Sequence, residues 1–183
     1  MNCLLALDGV ACVRGGLLLF EGLSLTLGPG EAALVTGPNG AGKSSLIRLA
    51  ARLLRPLTGR VERAEAALAD EHLALDERQL LGDALSFWVK DKAGGLEAMG
   101  LTPLAEVPVR MLSAGQRKRA SLARVLASAA PLWLLDEPAN GLDADGLARL
   151  DAAIATHRAS GGAILAASHQ PLALDGAQTV RLG

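Results

Sequence analysis

The segment Gly37-Pro38-Asn39-Gly40-Ala41-Gly42-Lys43-Ser44 constrains this 183-residue chain more than any other. It follows a short apolar run, Ala32 to Thr36. It precedes an amphipathic one, Ser44 to Leu54, in which Leu46, Ile47, Leu49, Ala50, Leu53 and Leu54 share a face before Pro56 ends it. Strand, glycine-rich turn and helix in that order make a phosphate-binding loop. The glycines let several backbone N–H groups point inward at one anion, and the helix aims its positive end at the same place. Lys43 adds a full charge suited to the β- and γ-phosphates, and the Ser44 hydroxyl suits Mg²⁺. A plain glycine turn capping a helix is the simpler alternative, and the flanking strand and helix argue against it.

The rest of the chain reads as alternating strands and helices. Cys3–Leu7 and Leu23–Leu27 are expected strands around a turn at Gly15-Gly16, and LSLTL alternates as a half-exposed antiparallel strand would. Ala64–Ala69 is a further candidate strand. Helical pieces between Asp83 and Val109 are broken by Gly94-Gly95, Pro103 and Pro108, which implies a small helical lobe. A helix over Ser113–Ser128, a buried strand over Leu132–Asp136, a helix over Asp143–Ala159, and strands over Ala163–Ser168 and Gln178–Leu182 complete an α/β layout with a mostly parallel sheet.

Composition narrows the function classes. Half the residues are apolar, enough for a buried core, and with two Trp, two Phe and no Tyr the core rests on Ala and Leu. A formal net charge of −1 gives no bulk electrostatic case for nucleic acid or anionic lipid. The basic run Arg117-Lys118-Arg119 reads as a solvated helix face. Cys3 and Cys12, without a CxxC or a nearby His, predict neither a disulfide framework nor a metal site. The opening MNCLLALDGVACVRGG lacks the basic-then-apolar layout of a signal peptide, and no apolar stretch approaches the ~20 residues that span a bilayer.

Two more segments carry chemistry. Leu132-Trp133-Leu134-Leu135-Asp136-Glu137 is an apolar strand ending in adjacent carboxylates, at the sheet edge where α/β proteins bind ligands. Asp136 suits a metal role through water. Glu137, facing differently, suits a general base that polarises an attacking water. Solvated loop acids would look alike in isolation; the upstream phosphate loop favours chemistry. In Leu112-Ser113-Ala114-Gly115-Gln116, Ser113 and Gln116 spell a capping box, which by itself means a well-made helix start. The same exposed N–H groups and the small Gly115 also make a second phosphate-binding end.

That pentapeptide resembles the LSGGQ signature of ABC (ATP-binding cassette) ATPases, and it lies between the phosphate loop and the acidic strand in that family's order. Asn140-Gly141-Leu142-Asp143 is similar to the family's D-loop, and His169, after AILAAS, sits where the family has its switch histidine. The resemblance spans essentially the whole chain. It implies a P-loop NTPase fold of the ABC type, a mostly parallel sheet with an N-terminal antiparallel β-subdomain and a helical lobe over about 72–128, all in one domain, 1–183. It implies ATP bound by Gly37 through Ser45, Mg²⁺ held by Ser44 and Asp136, and catalysis by Glu137 and His169. It further implies a homodimer in which Ser113, Ala114, Gly115 and Gln116 act on the partner's nucleotide with Asp143 nearby.

Two positions depart from the family pattern. The place of the usual glutamine after the strand before the lobe falls on Glu71 or His72. The usual aromatic for adenine is replaced near Arg14, whose planar guanidinium is able to stack on a base. Within the family the chain most resembles the ATP-binding subunits of the haem exporter of cytochrome c maturation, through LLLFEGLSLTLGPGEAALVTGPNGAGKSSLIRL, LSAGQRKRASLARVL, PLWLLDEP and GGAILAASHQPLALDGA. This implies peripheral attachment, through integral membrane subunits, to the cytoplasmic face of a bacterial inner membrane. No nucleic acid is expected as a partner, nor direct insertion into the membrane. His72, His157 and His169 predict no haem site of their own. The alternatives are a cassette for another exported substrate and a soluble ABC ATPase acting on nucleic acid or ribosomes. The latter usually carries long insertions or fused cassettes, which are not seen here.

Overall fold

The computed structural model describes residues 3–89 and 92–183. Two sheets organise the chain. In the first, β1 (Leu5–Arg14) and β2 (Leu17–Leu27) form an antiparallel hairpin that pairs Leu5 with Leu27 and Arg14 with Leu17. β4 (Thr58–Arg63) adds to the free edge of β1, giving the order β2-β1-β4. The second sheet is wholly parallel, in the order β5 (Ala66–Ala69), β6 (Leu132–Asp136), β7 (Ala163–Ala167), β3 (Ala32–Thr36), β8 (Gln178–Arg181). β6 and β7 are buried along their whole length, as continuous apolar runs covered on both faces must be.

Strand alternation sends the two faces of that sheet into different cores. Leu132, Leu134, Leu165, Ala33 and Val35 pack with α1 (Lys43–Ala50) and with Leu5, Leu25 and Leu27 of the hairpin. Trp133, Leu135, Ile164 and Ala166 face the other way, toward α4 (Ala114–Leu126), α5 (Ala144–Ala159) and the lobe. Each fully buried leucine on either face contributes roughly 1.5–3 kcal/mol. The lobe is built from α2 (Leu81–Ser86), α3 (Ala93–Ala98) and two short 3-10 turns, and it seals itself with Leu81, Leu85, Leu96, Met99 and Leu101. The expected helical stretch over 83–109 includes Lys90 and Asp91, which lie outside the described residues. The two tryptophans sit apart. Trp133 is buried and stacks on His157, with ring centroids 3.8 Å apart, whereas Trp88 stays 47% exposed with the Arg124 guanidinium 4.8 Å from its ring.

The hairpin strands β1 and β2 run well beyond the expected Cys3–Leu7 and Leu23–Leu27, nearly to the turn at Gly15-Gly16, and two further elements differ from expectation. The helix after the phosphate loop stops at Ala50 rather than Leu54. Arg52 enters the left-handed region at φ 61°, and the N–H groups of Leu53 and Leu54 both turn back onto the Arg48 carbonyl. This is a helix terminus of the glycine type made without a glycine. The strand β4 was not expected at all, because TGRVER has one apolar residue, Val61, and its place is set by β1. Its start depends on Gly59 at φ +82°, pressed against the irregular register of β1. A β-carbon there would lie 2.4 Å from the Asp8 carbonyl oxygen. Gly59→Ala should therefore cost about 1–3 kcal/mol and lower the melting temperature by several degrees. A thermal melt superimposable on the parent's would show that the hairpin simply yields.

Candidate nucleotide site

The loop between β3 and α1 is shaped by backbone geometry before any side chain matters. Gly37, Gly40 and Gly42 take φ of 143°, 85° and 101°. At Gly37 a β-carbon would stand 2.3 Å from the Leu182 carbonyl oxygen, so no other residue fits. No side chain caps the N-terminus of α1, which leaves its first N–H groups directed at the loop's hollow. Lys43 is buried, and its ammonium donates to the carbonyls of Gly37 (2.9 Å) and Pro38 (3.1 Å), drawing the loop closed.

At the carboxyl end of β6, Asp136 is 6% exposed, and its Oδ1 is buried without a hydrogen-bond partner. Burial raises the Asp136 carboxyl above the ordinary value. A hydrogen bond with the Ser44 side chain opposes this, and the neighbouring Glu137 and Asp70 charges add to it. A hard-oxygen pair, Ser44 hydroxyl and Asp136 carboxylate with one oxygen left over, fits a small divalent cation.

Glu137 is turned off the strand by a left-handed backbone, φ 47°, while its N–H still donates to Ala167 O at 2.8 Å. Its Oε2 accepts from the His169 N–H (3.2 Å), and its Oε1 lies 3.4 Å from His169 Nε2. That same nitrogen is 3.1 Å from Asn39 Oδ1. In the tautomer with hydrogen on Nε2, His169 donates toward both oxygens. The loop residue Asn39, the acid Glu137 and the strand-end His169 thus converge from three elements.

Of the expected site residues, Asn39, Glu137 and His169 are joined by contacts, and so are Ser44 and Asp136. Ser44, Asp136 and Glu137 also line a cleft of about 490 Å³. Ser113, Gly115, Gln116 and Asp143 instead line a smaller cleft of about 270 Å³. The two clefts meet at Gly141, while Ala114 faces the first. Ser113 caps α4 with the full box: Gln116 N–H donates to Ser113 Oγ (3.2 Å), and Ser113 N–H donates to Gln116 Oε1 (2.8 Å). Asp143 caps α5 by accepting from Gly146 N–H at 2.9 Å. This bond and the Arg119 guanidinium hold the Asp143 carboxyl below its ordinary value.

Several participants escaped sequence reasoning. Asp70 ends β5 beside Asp136 and lines the larger cleft. The same signal, an apolar strand closed by an acid in Ala66-Ala67-Leu68-Ala69-Asp70, was present and went unweighed. Asp70 accepts from the His72 N–H (3.0 Å) and lies 3.3 Å from His72 Nδ1, while Arg48 reaches Glu71 at 3.1 Å. The run Arg117-Lys118-Arg119 is no simple solvated face. Lys118 turns into the acidic cleft, where burial pushes its amine down against the pull of Asp136, Glu137 and Asp70. Arg119 pairs with Asp143 and Asp145. Arg14 stays exposed at the hairpin tip, and its charge acts on the buried Cys12 thiol, which bonds the Ser45 side chain. Leu19 and Phe20 lie against Gly42, so the hairpin covers the loop with aliphatic and phenyl surface. A cavity of about 700 Å³ between α3, α4 and α5, with Trp133 and His157 in its wall, shares no lining residue with the cleft of Asp136 and Glu137.

A parallel sheet carrying this loop, this acid pair and this capped second helix defines a nucleotide-binding domain of the ABC type. The family model described as ABC transporter matches residues 20–140. The chain is 60% identical to the "Cytochrome c biogenesis ATP-binding export protein CcmA" of Sphingopyxis alaskensis, over 95% of this chain and 94% of that one. It is 56% identical to the protein of the same description from Novosphingobium aromaticivorans, over 99% and 96%. A solved ATP-binding subunit of an ABC transporter superposes with a TM-score of 0.83 at 21% identity, covering 91% of this chain and 79% of that one. The chain belongs to the ABC transporter family, as an ATP-binding and ATP-hydrolysing protein of the CcmA type.

The Asp136 environment carries a stability consequence. Because burial raises the folded-state value, the protonated form favours the fold below the ordinary carboxylate range, and that contribution is lost as pH rises through the raised value. Asp136→Asn, neutral at every pH, should melt higher than the parent at pH 7 without nucleotide or metal, by about 2–4 °C per kcal/mol recovered. The difference should vanish in acid. A lower melting temperature for Asp136→Asn at pH 7 would mean that the charge is compensated after all.

Proposed function

We propose that this chain is the ATP-hydrolysing subunit of the haem exporter of cytochrome c maturation. Two copies work as a pair, docked on integral membrane subunits at the cytoplasmic face of a bacterial inner membrane. The observation that carries the reading is 60% identity, over nearly the full length of both chains, to a cytochrome c biogenesis ATP-binding export protein. On this reading residues 1–183 are one ATP-binding domain, and about 72–128 form the helical lobe with the signature helix. Attachment runs through the membrane subunits; among the described residues no helix is long and apolar enough to cross a bilayer.

ATP phosphates are received by the N–H groups of Gly37 through Ser45, and Lys43 moves its ammonium from the loop carbonyls to the β- and γ-phosphates. Ser44 and, through water, Asp136 would hold Mg²⁺, which screens the phosphate charge when bound. Glu137 takes the proton of the attacking water. His169, oriented by Glu137 and Asn39, donates its Nε2 hydrogen toward the γ-phosphate. The partner copy supplies the exposed helix end of Ser113, Ala114, Gly115 and Gln116, with Asp143 beside it. The reading is supported by Ser113, Gly115 and Gln116 lining a cleft other than the one lined by Ser44 and Glu137; on this reading a second copy brings them to the nucleotide.

Glu137→Gln keeps size and hydrogen bonding but accepts no proton. Turnover should fall by ~10²–10⁴ with ATP affinity preserved, and the variant should form a long-lived dimer in ATP and Mg²⁺ on size-exclusion chromatography. In cells where it replaces the parent chain, haem-stained c-type cytochromes should disappear. Normal cytochromes c alongside loss of another exported solute would assign the subunit to a different exporter. Ser113→Arg should leave ATP binding by the single chain intact and abolish ATP-driven dimerisation. Loss of ATP binding by the Ser113→Arg monomer would place Ser113 in its own chain's pocket and sink the two-copy reading.

A further inference from the structure

The signature end of α4 and the turn 140–143 are joined by contacts outside the nucleotide cleft. Gly115 backs onto the turn so closely that a β-carbon there would stand 3.2 Å from the Gly141 carbonyl oxygen. One turn along α4, the Arg119 guanidinium spans two carboxylates, with one terminal nitrogen on Asp143 and the other 2.9 Å from Asp145 Oδ2. The Arg119 side chain is 15% exposed while Asp143 and Asp145 are 68% and 57% exposed, so the link rests on the two-pronged fork geometry rather than on burial of the pairs. Asp143 uses the same Oδ1 to cap α5 through Gly146, and Asp145 Oδ2 also takes Arg149 Nε at 2.9 Å. The other end of the turn reaches the hydrolytic group. Asn140 N–H donates to Glu137 O (3.3 Å), and the Gln170 amide, next to His169, donates to Asn140 Oδ1 at 3.4 Å.

We infer that Arg119 is a positioning residue. It locks the turn 140–143 against the signature end of α4, so that the face offered to a second copy's nucleotide and the chain's own Glu137–His169 pair are held in one fixed relation. The inference rests on the two-copy reading above. Arg119 lines the smaller cleft and acts through Asp143. A lysine satisfies one carboxylate at a time, because an ammonium lacks the planar fork that meets both.

The test uses the full chain in ATP and Mg²⁺. In the Glu137→Gln background, Arg119→Ala should bind ATP within about twofold of the parent while its dimerisation constant weakens by about tenfold or more, with Arg119→Lys intermediate. With Glu137 intact, Arg119→Ala should lower kcat and leave KM for ATP unchanged, a split that general loss of folding would not give. Dimerisation and kcat of Arg119→Ala at parental levels, while Ser113→Arg still blocks dimerisation, would overturn the inference and leave the two-copy reading standing. Parental dimerisation by both variants would remove the two-copy reading, and the inference with it. Should the alanine variant fail to fold, Arg119→Lys decides alone: parental dimerisation and kcat overturn the inference, and a partial loss supports it.

Discussion

Burying a carboxylate is expensive, and at the carboxyl end of β6 the chain does so with one oxygen of Asp136 left without a hydrogen bond. Much of the surrounding architecture follows from tolerating that charge. β6 must be central to hold the acid at the sheet's end, and α1 must start where Ser44 can reach it. Arg48 and Lys118 lend positive charge from two directions. On the proposed reading, a dication beside a polyanion supplies what this charge lacks. Lys43 holds the phosphate loop through the Gly37 and Pro38 carbonyls, and on the same reading that ammonium passes to phosphate oxygens when nucleotide binds.

Local features were legible in the sequence. The three loop glycines, the acidic strand end and the Ser113–Gln116 box each join residues a few positions apart, and the physics of each is complete within its own segment. Features made by distant partners were not. Arg119 looked like part of a solvated basic run because its acids lie 24 and 26 residues further along. The strand β4 has one apolar residue, so its existence is dictated by the open edge of β1 rather than by its own pattern. The early end of α1 hides because Leu53 and Leu54 continue the apolar stripe although the backbone has already turned back.

The loop after β5 shows how a departure from family pattern acquires structure. Where a glutamine is usual, Glu71 is 77% exposed and held by Arg48, and His72 is folded back on Asp70 by both its backbone N–H and its ring. Asp70, Glu71 and His72 all line the cleft, and the Asp70 charge acts on Asp136. Arg48 ties this segment to α1, the helix that begins at the phosphate loop.

The two tryptophans divide the molecule optically. Trp133 is sealed in the sheet against a stacked imidazole, and burial keeps that imidazole neutral by lowering its proton affinity. Trp88 stands half in water on the lobe under a guanidinium, and there is no tyrosine to add background. The unlabelled chain therefore holds two indoles in opposite settings, one half in water beside a cation and one sealed on an imidazole, and their emission should be separable, red-shifted for Trp88 and blue-shifted for Trp133.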